Sequence, residues 1–301
     1  MLLFTIWPIF ALICLGFILA RRGFPDPGFW AAAERLNYFL LFPALLLSSL
    51  ANAPVSDPEV IGLGGAAVTI IALAAGGVSL ARLFHPVAAA RFGPVLQGTI
   101  RFNTYLGLAI LATLAGSPGI ERAALYLAVA VPLVNVLSIM ALSDAGSMRA
   151  PLILLRTILR NPLILACLAG IALALTGVGL PFGTGRFLGF LAQGSLPLGL
   201  LCVGAALQPL AMRLDILTLV GTGALRLLFM PLLAALIARA FGLNGVEALV
   251  LVVFAAIPTA PTSYVLTRQL NGDGTLMAGI VTSQTLAAIA TIPLVLWLFG
   301  A

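Results

Sequence analysis

The stretch AAIPTAPTSYVLTR, Ala255–Arg268, lies inside an apolar run long enough to cross a bilayer, yet Pro258 and Pro261 interrupt it three residues apart. Each proline removes a backbone donor and clashes with the preceding turn, at about 3 kcal/mol in an ordinary helix interior. Hydrocarbon holds no water to satisfy the carbonyls so freed, and a broken helix at that depth is tolerated only where it is buried in protein or lines a wet cavity. Thr259, Thr262, Ser263 and Tyr264 put four hydroxyls within six residues of the break. That pattern fits the discontinuous helix of a transporter with a binding site at the gap. It fits as well a proline kink whose hydroxyls bond back to freed carbonyls.

The rest of the chain supplies the setting. Its 301 residues are 62% hydrophobic and 8% charged, which no soluble domain of this length matches, so the fold class is an all-α polytopic membrane protein. All fifteen basic residues are arginine, and the absence of lysine excludes Schiff-base and Ser-Lys chemistry. The formal charge of +6 does not mark a nucleic-acid partner, because the arginines fall singly or in pairs between apolar spans. Cys14, Cys167 and Cys202 sit in apolar segments as small hydrophobes, and neither a disulfide framework nor metal-ligand spacing is visible. No cofactor is expected. The first apolar run precedes its basic residues, so it reads as a retained span and not as a cleaved signal.

Ten segments are long enough to span: residues 2–20, 36–53, 60–83, 95–115, 123–142, 163–180, 187–207, 216–237, 248–266 and 276–298. Connections after odd-numbered spans hold Arg21, Arg22, Arg35, Arg82, Arg91, Arg149, Arg156, Arg160, Arg213 and Arg268, against Arg122, Arg186 and Arg239 opposite. The positive-inside rule makes the first set cytoplasmic and puts both termini outside, in what reads as a bacterial inner membrane. A shift of 154 residues lays Pro8 on Pro162, Gly16 on Gly170, Pro27 on Pro181 and Pro43 on Pro197. Two five-span repeats follow, residues 1–142 and 161–301, joined by a short cytoplasmic connector, 143–160. An odd number of spans inverts the second repeat, and the broken ninth span then corresponds to the fourth, with Arg101, Phe102, Asn103, Thr104, Tyr105 and Gly107.

Six motifs resemble the auxin efflux carrier family, which includes bacterial permeases and the plant auxin exporters. They are WPIFALICLGFILARRG (Trp7–Gly23), RLNYFLLFPALLLSSLA (Arg35–Ala51), RFNTYLGLAI (Arg101–Ile110), RNPLILACLAGIAL (Arg160–Leu173), SLPLGLLCVGAAL (Ser195–Leu207) and AAIPTAPTSYVLTRQLNGD (Ala255–Asp273). The resemblance implies a five-plus-five inverted fold, a scaffold and a transport part, broken helices 4 and 9 crossing at the centre, and small organic anions as substrates. Two departures stand out. Ala109 occupies the position of the family's proline in the fourth span, which leaves Gly107 to unwind that helix, and the connector lacks the long hydrophilic loop of the plant exporters.

Asn103 matches the family's substrate-contacting asparagine and offers a carboxylate a donor, though buried amides also join helices at about 0.6 kcal/mol per bond. Gly107 and the Pro258–Pro261 break would turn half-helix N-termini toward a cavity, where their positive ends favour an anion. Thr104, Thr259, Thr262, Ser263 and Tyr264 are further candidate contacts. Arg226, mid-span and five residues before Pro231, costs roughly 2.5–3.5 kcal/mol to insert, so it must face protein or water. It reads as a counter-charge for the anion or part of the pivot, or else as a partner of carbonyls freed by Pro231 or a side chain snorkelling to one face. Glu34, Asp215 and Glu247 lie near span ends, so neither a proton relay nor a sodium site is visible.

A secondary transporter of a small organic anion, working by alternating access, is the leading expectation, with lipid and the anion as partners and a homodimer left open. An intramembrane enzyme would need paired acids, a histidine pair or a Ser-His dyad, and the chain has one histidine, in a loop. A passive channel also suits a broken helix. A ligand sensor on a transporter-like fold would normally carry a signalling domain, which these residues do not contain.

Overall fold

The computed structural model describes residues 2–26, 28–51, 53, 58–143 and 161–299, and every regular element among them is a helix. The connector expected at 143–160, apart from Ser143, lies outside the described residues. Among the described residues, five helical runs are long and apolar enough to cross a membrane: Ile61–Phe84, Ala89–Leu142, Thr184–Ala205, Ile216–Ala240 and Gly274–Leu298.

In chain order the helices are α1 (Leu2–Arg21), α2 (Phe29–Leu36), α3 (Phe42–Leu50), α4 (Pro58–Phe84), α5 (Ala89–Ile100) and α6 (Thr104–Leu142). Then come α7 (Pro162–Thr176), α8 (Thr184–Ala205), α9 (Ile216–Ala224), α10 (Met230–Ala240), α11 (Gly245–Ala256), α12 (Thr262–Gln269) and α13 (Gly274–Leu298). Two pairs are continuous rods. A π turn, Asn37–Leu41, joins α2 to α3, and another, Leu225–Phe229, joins α9 to α10. Each π turn lies just before a proline, Pro43 or Pro231, and contains the residue four back, Phe39 or Leu227, whose carbonyl the ring would strike in a regular helix. Widening the turn relieves that clash. Inside α6, Gly116 takes φ 58° and ψ −142°, a conformation open to glycine, and kinks the rod.

The helices pack as two groups. In one, α1 lies on α8, and α3 on α7 and α8; in the other, α6 is packed by α4, α5 and α11, and α13 by α9 and α12. Small residues set the spacing in the first group. A methyl at Gly16 would overlap the Leu201 carbonyl of α8, and one at Gly204 the Ile13 carbonyl of α1. A methyl at Gly170 of α7 would come 3.2 Å from the Leu47 carbonyl and 2.6 Å from the Leu50 Cβ of α3. The pair Gly16–Leu201 becomes Gly170–Leu47 under the 154-residue shift, so the same contact is made twice with the halves exchanged.

The ninth apolar segment divides as its prolines dictate, into α11 and α12 with residues 257–261 between. The fourth divides too, but not at Gly107. Its break is Arg101–Asn103, and Gly107 lies in the first turn of α6, where a methyl would press on Phe254 and Ile257. α5 and α11 are each twelve residues long.

Candidate functional site

Two interrupted helices raise a strict accounting question, because each break exposes carbonyls at one end and N–H groups at the other. The crossing separates them by sign. On the carbonyl side, three successive groups at the end of α5 find side-chain donors: Gln97 O accepts from Thr259 Oγ1 at 3.2 Å, Gly98 O from Gln284 Nε2 at 2.9 Å, and Thr99 O from Arg226 Nη1 at 3.1 Å. Arg226 also donates from Nε to Ile257 O at 2.8 Å and from Nη2 to Phe254 O, at the end of α11. Each helix C-terminus carries about half a negative charge, so two of them meet one guanidinium with about one unit of opposite charge. That balance explains how an arginine only 1% exposed is accommodated. The backbones touch as well: Asn103 N–H donates to Pro258 O at 2.8 Å, and Thr259 N–H to Gln284 Oε1 at 3.0 Å.

No proline makes the first break, and none is needed. Asn103 caps α6 by accepting the Leu106 N–H on Oδ1, Arg101 and Asn103 both take extended backbone, and the partners just named hold the α5 carbonyls.

On the N–H side lies a cavity of about 580 Å³ between the two helix groups. Phe102, Asn103 and Thr104 from the start of α6 and Ala260, Pro261 and Thr262 from the start of α12 form one wall, with Val131, Val134 and Asn135 from the far half of α6. Glu34, Arg35, Tyr38, Phe39 and Phe42 face them from the α2–α3 rod, with Asn161, Cys202 and Val203 beside these. Arg101 is the cation on the first wall. Its guanidinium donates to Asn135 Oδ1 at 2.9 Å and to Thr262 Oγ1 at 3.3 Å, bridging the first break to the second half-helix. Asn103 is 1% exposed, and its Nδ2 has no hydrogen-bond partner among the described residues. A buried amide donor without a partner costs about 1–3 kcal/mol, so the site holds a donor ready for an incoming acceptor.

Of the residues singled out from the sequence, Asn103, Thr104, Pro261 and Thr262 line the cavity, and the others do not. Pro258 gives its carbonyl to Asn103. Thr259 and Ser263 are fully buried 3.4 Å apart, Thr259 holding the α5 end. Tyr264 packs on the apolar cluster around Met277 and Ile280, and Gly107 makes room for Phe254. Arg226 neither lines the cavity nor serves carbonyls freed by Pro231: its three acceptors belong to the ends of α5 and α11, where the two broken helices meet.

The cavity also holds residues not named as contacts: Arg101, Asn135, Asn161, Tyr38 and Glu34. Arg101 stands two residues from Asn103 in the sequence, and a cation beside a break is the signal that could have found it. Asn161 is the N-cap of α7, accepting from Leu163 and Ile164, and its place at the cavity follows from tertiary packing alone.

A family profile described as "Membrane transport protein" matches residues 147–297. An uncharacterized transporter of Methanothermobacter thermautotrophicus is 26% identical over 293 residues, which cover 96% of each chain.

Proposed function

Because the chain belongs to the membrane transport protein family, and is an integral membrane protein, we propose that it is a secondary transporter moving a small organic anion by alternating access. The observation that carries this reading is the unpartnered Asn103 Nδ2, buried at a cavity that also receives two half-helix N-termini and the Arg101 guanidinium. Each N-terminus contributes about half a positive charge. A carboxylate entering loses its water, and aimed donors with a net positive field replace it.

The cavity lies between two helix groups, so a shift of one against the other would open it to either side in turn. In this reading the ten apolar segments all cross, residues 1–142 and 161–301 form two inverted repeats, and both termini lie outside the inner membrane. The equal lengths of α5 and α11 and the repeated contact, Gly16 with Leu201 and Gly170 with Leu47, support the repeat.

A thermal-shift screen of the purified protein against mono- and dicarboxylates, amino acids and organic cations tests the ligand class. Stabilisation by carboxylates above the others is expected. Stabilisation by cations or neutral compounds and not by carboxylates rejects the anion reading.

A further inference from the structure

Glu34, on the α2–α3 rod, lines the same cavity as Arg101 and Asn103. It is partly buried, and its carboxylate makes no ion pair or hydrogen bond among the described residues. The groups around it that carry or can lose charge are Arg35 on its own helix, Tyr38 in the π turn, Arg101 at the first break, Tyr105 on α6 and Cys202 on α8. Arg35 is exposed, where solvent screens it. Among the described residues, the buried part of the wall therefore carries one cation, Arg101, and one carboxylate, Glu34.

An organic anion adds a second carboxylate to this confined space, and two carboxylates sharing such a space do not both stay ionised when a proton is available. The anion is held by Asn103, Arg101 and the helix N-termini, whereas Glu34 has no donor to stabilise its charge. Glu34 is the group of the two that the proton reaches.

Resting on the organic-anion reading above, we propose that Glu34 is a proton site in the cavity wall, which takes one proton from water as an anion enters and returns it to water as the anion leaves. Anion and proton then cross together, and each monovalent anion moves without net charge. In the sequence Glu34 stands only at the edge of a span. Its place in one cavity wall with Arg101 comes from the packing of the two helix groups.

The test uses the full chain in lipid nanodiscs, with benzoate and malonate as probes. Infrared difference spectra during a pH titration follow the carboxylic-acid carbonyl band of wild type, Glu34→Gln and Glu34→Asp without added anion. Probe affinity is then measured as a function of pH. A band absent in Glu34→Gln and shifted in Glu34→Asp supports the proton site, and a band unchanged by both substitutions overturns it. One linked proton makes wild-type affinity rise about tenfold for each pH unit lowered, at most. The expected slope is present in wild type, lost in Glu34→Gln and recovered in Glu34→Asp. A flat wild-type profile, or an equal slope in Glu34→Gln, overturns the coupling while leaving an anion transporter. Binding of neither probe at any pH counts against the anion reading, and the infrared band then decides the proton site alone. If Glu34→Gln does not fold, the band shift in Glu34→Asp decides it.

Discussion

Asn103 donates its backbone N–H to the Pro258 carbonyl at 2.8 Å, so the two broken helices meet through main chain. The Asn103 side chain is thereby left two separate tasks: Oδ1 caps α6 through Leu106 N–H, and Nδ2, buried in a residue of the cavity wall, has no partner among the described residues. Substitution can divide them. Asn103→Asp keeps an oxygen for the cap but loses the donor, so anion affinity should fall by about 1–3 kcal/mol or more while the melting temperature stays near wild type. Asn103→Ala loses both, with about 1 kcal/mol of stability for the cap besides. Paired melting curves and anion titrations check this. Equal losses of stability in both variants would show that Asn103 is structural only.

Arg226 should behave in the opposite way. In Arg226→Met three carbonyls, on Thr99, Phe254 and Ile257, lose their donor, at about 1–3 kcal/mol each where no water replaces it. The melting temperature in detergent should drop steeply, and the folded fraction should keep its preference for anions. Arg226→Lys retains the charge without the planar fork and should lie between. A stable Arg226→Met protein that has lost anion selectivity would return Arg226 to the binding site.

Arg101→Gln tests the cavity cation. Glutamine can still bond Asn135 or Thr262 but carries no charge, so stability should change little. Anion affinity should fall by about 1.5–3 kcal/mol, the range for hydrogen bonds to charged groups. Isothermal titration with the best anion from the thermal-shift screen measures it. Unchanged affinity would place the bound anion out of reach of Arg101.

The glycines of the first helix group give a test of packing. Gly16→Ala and Gly204→Ala each drive a methyl into a backbone carbonyl of the neighbouring helix, whereas a methyl at Gly76 of α4 would meet no atom within 4 Å. The first two should lower the melting temperature and folded yield strongly, and Gly76→Ala should not. Size-exclusion profiles and melting curves read the difference. Tolerance at Gly204 would mean that α1 and α8 do not pack as closely as they do in this structure.

Much of the architecture is legible in the sequence because bilayers permit few backbones. Pro258 and Pro261 announce the second break directly, and the apolar lengths give the helices. The first break lies away from Gly107, where the sequence suggested it, because its cause is not local: Thr259, Gln284 and Arg226, distant in sequence, hold the α5 carbonyls. Arg226 escapes sequence reasoning for a related reason. Sequence shows that a buried arginine needs partners, but the ends of α5 and α11 become available only once the helices cross. The hydroxyls of Thr259 and Ser263 are likewise consumed by the crossing, while Arg101 and Glu34, at a break and at a span edge, turn out to face the cavity.

Counterflow in proteoliposomes tests most directly whether the cavity carries an anion across the membrane. Vesicles containing purified wild type, Arg101→Gln or Asn103→Asp are loaded with an unlabelled carboxylate that binds in the thermal-shift screen, and entry of the labelled compound is followed. The expected result is a transient accumulation above equilibrium in wild type, strongly reduced in both variants although they fold. Entry without trans-stimulation would indicate a channel, and full counterflow in both variants would place the transport site elsewhere in the molecule.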